Sequence, residues 1–332
     1  MRTTPIVYRG SCALAVNMLL AASLLLLTAC ASKPLNPWTT DDPPLALVPV
    51  ADAGVDDQRG RFREIYCEVL ESRADEWPDY RPCEQALTRV AGEPAGSGEP
   101  VDLGVSEQKY LALIVPGVGW DCIEEWLKID ESISELLDGF GFQRELLKVD
   151  GLSGTEQNAL QIRDAIAGLS EEYDDLPILL IGYSKGAPDI LQAIVDYPEL
   201  KERVVAVISA SGAIGGSPLA NAADQKDLNI IRRFPGADCS DGDGGAIDSL
   251  RPGVRRTWLA NNTLPDEIAY YSLVTYPELD RVSSVLGTTY RKLSKVDARN
   301  DSQLIYYDQV IPGSTLMGFI NADHWAIAVP IA

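Results

Sequence analysis

Two hydrophobic periods alternate along most of this chain. Residues 110–115 (YLALIV) form an apolar run of strand length that ends in Pro116-Gly117-Val118-Gly119. The following segment carries Ile123, Trp126, Leu127, Ile133, Leu136 and Leu137 at helical spacing, so the pattern predicts strand, glycine turn, helix. Gly139 and Gly141 close that helix, residues 142–149 read as a second strand, and a helix beginning at Thr155 turns Ala159, Ile162, Ile166 and Leu169 inward;. Residues 178–181 are the next strand, the helix after them buries Ile190, Leu191, Ile194 and Val195, and 204–209 (VVAVIS) is another strand;. Strands separated by helices pair in parallel through right-handed crossovers, which makes the class α/β with a mostly parallel sheet and helices on both faces. The rhythm breaks over about 212–265, a stretch long enough to form a lid-like insertion. It resumes with strands at 269–274 and 315–320 and a helix over 282–293;.

The stretch before residue 107 is organised differently. Residues 1–29 hold Arg2 and Arg9, no acidic residue, and an apolar core that ends at Leu27-Thr28-Ala29-Cys30, the layout of a signal peptide. Residues 30–57 are rich in Pro, Asp and Ala and predict a flexible tether. A helix over 58–71 presents Phe62, Ile65, Val69 and Leu70 on one face, and a second helical run covers 83–90. Residues 58–106 are therefore expected to be a small N-terminal helical cap and linker, ahead of a main domain at 107–332.

Charge narrows the partners. The chain has 28 Lys and Arg against 49 Asp and Glu, a net charge of −21, and loss of the leader brings it to about −23. Nucleic acid is excluded as a natural partner by that balance. With Cys12 in the leader and Cys30 at its end, Cys67, Cys83, Cys122 and Cys239 remain. Four thiols in an exported chain predict two disulfides in one of three pairings, of which Cys67 with Cys83 and Cys122 with Cys239 is preferred. His324 is the single histidine and no CxxC pair is present, so neither a metal nor another cofactor is expected.

The chemistry centres on Gly182-Tyr183-Ser184-Lys185-Gly186, a G-x-S-x-G pentapeptide between the 178–181 strand and a helix. Two glycines there permit the sharp turn that exposes a nucleophilic serine. Such a hydroxyl needs a base and a carboxylate that orients the base. The base is His324, just past the last strand. Candidate acids between serine and histidine include Asp280, Asp297, Asp301, Asp308 and Asp323, and Asp301, in a turn-forming Arg299-Asn300-Asp301-Ser302, is the expected partner with Asp308 as runner-up;. Backbone N–H groups of Val118 and Lys185 are the expected oxyanion donors. The Lys185 side chain is expected in solvent at the helix start, with contact to a substrate carboxylate as the alternative. Trp120 and Trp325 flank the two loops and serve either an acyl pocket or the core.

VPGVGW at 115–120, IGYSKG at 181–186, RND at 299–301 and NADHW at 321–325 together resemble the α/β-hydrolase superfamily, in its lipase and esterase branches. The resemblance covers about residue 108 to the end and lacks the histidine of the common His-Gly oxyanion loop. It implies a serine hydrolase acting on a small-molecule or lipid ester or thioester, with an acyltransferase or a catalytically silent binding protein of the same fold as alternatives. The end of the leader similarly resembles the bacterial lipoprotein signal. That implies lipidation of Cys30 and, with Ala31 and Ser32 in place of an aspartate, an outer-membrane anchor facing the periplasm.

Overall fold

The computed structural model describes residues 54–75, 80–122, 139–223 and 239–328. Its centre is a sheet of seven strands: β1 (Asp56–Asp57), β2 (Tyr110–Val115), β3 (Phe142–Leu146), β4 (Ile178–Tyr183), β5 (Val204–Ala210), β6 (Ala269–Thr275) and β7 (Thr315–Ile320). All neighbours are parallel, in the order β1-β7-β6-β5-β4-β2-β3. Leu111, Leu113, Val115, Ile178, Leu180 and Val207 are wholly buried, as the unbroken apolar runs require of strands covered on both faces.

Helices α1 (Arg59–Ser72), α2 (Cys83–Ala86), α3 (Thr155–Ala167), α4 (Gly186–Asp196), α5 (Pro218–Ala222), α6 (Ala246–Ser249), α7 (Pro252–Asn261) and α8 (Gly287–Leu293) accompany the sheet. Ala159, Ile162 and Ile166 of α3 join Ile190, Leu191 and Ile194 of α4 in one core cluster with the central strands. The helix predicted over 123–137 lies outside the described residues, as do residues 1–53 and the middle of the insertion.

Two predicted helices are shorter than their sequence patterns. The run over 83–90 stops at Ala86 because the following backbone is claimed by the sheet. Leu87 is extended and bridges Ile320, and the Thr88 N–H donates to the Phe319 carbonyl at 2.8 Å. The run over 282–293 becomes one short turn, Ser284–Leu286, before α8, since the Ser283 N–H donates to Asp323 Oδ2 at 2.6 Å instead of entering a helix. The strand expected over 142–149 pairs only to Leu146.

The N-terminal segment lies along β7. β1 and Leu87 pair with its outer edge, and Phe62 of α1 rests on Gly318, where a Cβ would come within 2.9 Å of the ring. An edge strand's open hydrogen-bonding groups are thereby covered. Arg63 and Glu93 add a pair at 2.6 Å with little exposure. Disulfides join Cys67 to Cys83 and Cys122 to Cys239, the preferred pairing. The first links α1 to α2 across 16 residues, and replacing both cysteines by serine is expected to lower unfolding stability by about 3 kcal/mol, read from the denaturant midpoint. The second ties the segment after the Pro116–Gly119 turn to the insertion.

Candidate active site

The serine, two other hydroxyl residues and the histidine reach one place because parallel strands end on one side of the sheet. β4 ends at Tyr183, and Ser184 turns the chain with φ 54° before α4 begins at Gly186. Both glycines of the pentapeptide are required by close approach: a Cβ at Gly182 would collide with the Ala187 backbone, and one at Gly186 with the carbonyl oxygens of Val115 and Pro116;. The turn is held by neighbouring strand ends, with Ser184 N–H donating to Ala210 O at 3.3 Å and Ala213 N–H donating to Ser184 O at 2.9 Å.

His324, four residues past β7, places Nε2 2.9 Å from Ser184 Oγ and Nδ1 2.8 Å from Asp301 Oδ2. Its backbone is clamped as well: its N–H donates to Asp301 O at 2.8 Å, and its carbonyl accepts from the Tyr183 hydroxyl at 2.7 Å. An imidazole so placed carries its proton on Nδ1 and offers Nε2 to the serine.

Asp301 is wholly buried in the turn whose Asn300 bridges Ile305. Burial alone would push its carboxyl up. The His324 imidazole, with hydrogen bonds from His324, Thr275 and Gln303, brings it below the ordinary carboxylate range instead;. The Gln303 and Leu304 N–H groups donate to Oδ1 at 2.9 and 2.6 Å. Oδ2 accepts from the Thr275, Ser211 and Gln309 side chains at 2.6, 2.8 and 3.3 Å.

The other acids lie elsewhere. Asp308, the runner-up, faces Arg256 at 3.2 Å, and burial pushes its carboxyl up to about 7 against that cation. Asp323 accepts from the Ser283, Trp325 and Ala326 N–H groups and so shapes the histidine loop. Asp297 pairs with Arg299. Trp120 is buried with its ring edge-on to Tyr183, whereas Trp325 is 42% exposed.

The turn after β2 presses on the serine. A Cβ at Gly117 would lie 2.8 Å from Ser184 Cβ and 3.2 Å from its Oγ. Among the described residues, neither the Val118 nor the Lys185 N–H donates to a protein acceptor. Gly117→Ala is expected to lower kcat/KM by about 100-fold through displacement of the hydroxyl, checked by steady-state kinetics beside a melting curve.

The Lys185 side chain corrects its expected place in solvent. It is 1% exposed and its Nζ meets both oxygens of Asp189 at 2.8 and 2.7 Å, with Asn158 donating to the same carboxylate at 2.8 Å. Burial works against both charges, lowering the ammonium and raising the carboxyl, and their contact opposes it;. With its ammonium spent on Asp189, the side chain does not serve a substrate carboxylate.

Ser211, Thr275 and Gln309 escaped the sequence reading. Two of them carried a usable signal, because Thr275 is the last residue of β6 and Ser211 the first after β5, the strand-tip position that Ser184 holds on β4. No cluster of metal-binding side chains occurs among the described residues.

A parallel sheet with an elbow serine, a buried carboxylate and a histidine met in that chain order defines an α/β-hydrolase of the serine hydrolase type. The crystal structure of the metagenomic carboxyl esterase MGS0156 is similar at 36% identity and a TM-score of 0.82, over 90% of this chain and 90% of that one. This chain belongs to that esterase family of the α/β-hydrolase fold. The mature Bacillus licheniformis lipase BlEst2 is 18% identical over 69% of this chain and 90% of its own with a TM-score of 0.54. EstA from Clostridium botulinum is 13% identical over 79% and 93% with a TM-score of 0.51. Those two share the fold. No protein-family model and no curated protein matches the chain.

Proposed function

We propose that this protein hydrolyses carboxylic esters through an acyl-enzyme on Ser184. The observation that carries the reading is the continuous chain from Ser184 Oγ through His324 to Asp301, with links of 2.9 and 2.8 Å. Ser184 Oγ attacks the acyl carbon as its proton passes to His324 Nε2, and Asp301 stabilises the imidazolium. The tetrahedral oxyanion is held by the N–H groups of Val118 and Lys185. Imidazolium then protonates the leaving alkoxide, leaving an ester on Ser184. Water, deprotonated by His324, releases the carboxylic acid and restores the serine. A thioester follows the same course with a thiolate leaving. The relative MGS0156, a carboxyl esterase by name, supports the ester as substrate.

A fluorophosphonate probe is expected to label Ser184 in the wild type and to leave Ser184→Ala unlabelled. Absence of labelling under conditions that label a control esterase counts against the proposal.

The envelope location rests on the residues around Cys30. A lipid group carried on that thiol, with the residues between Cys30 and β1 as tether, anchors the enzyme to the outer membrane facing the periplasm. Produced in a bacterium with lipoprotein processing, the wild type is expected in the detergent phase on Triton X-114 partition, with a lipid-sized mass increment on its N-terminal peptide. Cys30→Ala is expected in the aqueous phase, and equal partition of the two contradicts the anchor.

A further inference from the structure

Ser211 repeats, one strand over, the backbone of Ser184. It follows the last residue of β5 and turns with φ 50°, as Ser184 follows β4 with φ 54°. Glycine enters this left-handed region freely and other residues enter it at a cost. A serine kept there, wholly buried and immediately before Gly212, directs interest to its side chain.

That side chain touches both partners of the nucleophile. Its Oγ lies 2.8 Å from Asp301 Oδ2 and 3.0 Å from His324 Nδ1, and it also meets the Thr275 hydroxyl. A carboxylate only accepts, so the single Ser211 proton goes to Asp301. The Ser211 lone pairs then face the His324 Nδ1–H, which is shared between Asp301 and Ser211. When His324 takes the proton of Ser184, its Nδ1–H becomes a stronger donor, and the second acceptor gains in value at that moment.

We infer that Ser211 is a positioning residue for acyl transfer. It holds the Asp301 carboxylate and the His324 ring in the one orientation that aims Nε2 at Ser184. The inference rests on the proposed roles of Ser184, Asp301 and His324, and its substance is that Ser211 acts only through the other two.

Ser211→Gly removes the hydroxyl while suiting the left-handed backbone. Against a soluble ester it is expected to lower kcat by about 10- to 100-fold, the worth of a hydrogen bond to a charged group, with KM within about threefold. Because His324 is the only histidine, ¹⁵N-histidine NMR reads a single imidazole, whose Nδ1–H resonance is expected to move in this variant. In an Asp301→Asn background the same substitution is expected to cost less than about threefold in kcat, since the route it acts through is gone. If Ser211→Gly does not fold, Ser211→Ala carries the same comparison. A single-variant loss under about threefold, an unmoved resonance, or an undiminished loss in the Asp301→Asn background overturns the inference. Ser184→Ala separates the two levels: full activity there overturns the proposed triad itself, whereas an inactive Ser184→Ala beside an unaffected Ser211→Gly overturns Ser211 alone.

Discussion

His324→Ala is expected to lower kcat for a soluble ester by about 10⁴- to 10⁶-fold and to leave the fold standing. The size of the loss follows from the absence of a substitute. The chain has one histidine, and its Nε2 is the imidazole nitrogen 2.9 Å from Ser184 Oγ. Ser184→Ala is expected to cost about as much, and the double variant no more than either single one, because the two groups act as a unit. Asp301→Asn keeps shape and volume but presents an amide to Nδ1, which favours the wrong tautomer, so a loss of about 10⁴-fold is expected. Steady-state kinetics on the four variants and the wild type, with melting curves to establish folding, decides the matter. A His324→Ala enzyme within tenfold of the wild type would remove the basis for general-base catalysis at this site.

The largest stability effect is expected at the residue beside Ser184. Lys185→Met leaves the Asp189 carboxylate fully buried, still facing Asn158 at 2.8 Å but without its cation. Breaking a buried ion pair from one side costs about 3–5 kcal/mol, and chemical denaturation is expected to register a loss of that order. Replacing both partners, as in Lys185→Met with Asp189→Leu, removes the stranded charge and is expected to recover most of it. A single variant that unfolds at the wild-type denaturant midpoint would show that the pair contributes nothing. Since Ser184 and Lys185 are adjacent, the pair also anchors the start of α4 beneath Ser184.

Much of the fold is written in local pattern. The apolar runs at 110–115, 178–181 and 204–209 appear as β2, β4 and β5, because strands covered on both faces must be apolar throughout. The elbow glycines, the place of His324 and the turn around Asp301 were equally legible, since each depends on residues close in sequence. The disulfide partners were reached by parity and preference, and the fold provides the proximity that pairing needs.

What local pattern misreads are positions decided by a distant competitor. Residues 87–90 have helical spacing, yet the edge of β7 offers their backbone better partners, and 282–286 lose a helix to one carboxylate of the histidine loop. Lys185 looks like a solvated residue because lysine usually is; its partner stands four positions on at Asp189, but spacing alone cannot tell an exposed pair from one that later packing seals. Ser211, Thr275 and Gln309 lie 90, 26 and 8 residues from Asp301 and carry no shared motif. Ser211 and Thr275 meet because parallel register stacks the ends of β4, β5 and β6 side by side, and Gln309 joins them from the turn before β7. The residues supply the serine, the base and the acid through short-range constraints; the surroundings that orient the base and keep the acid ionised exist only once distant strand ends are brought together and shut away from water.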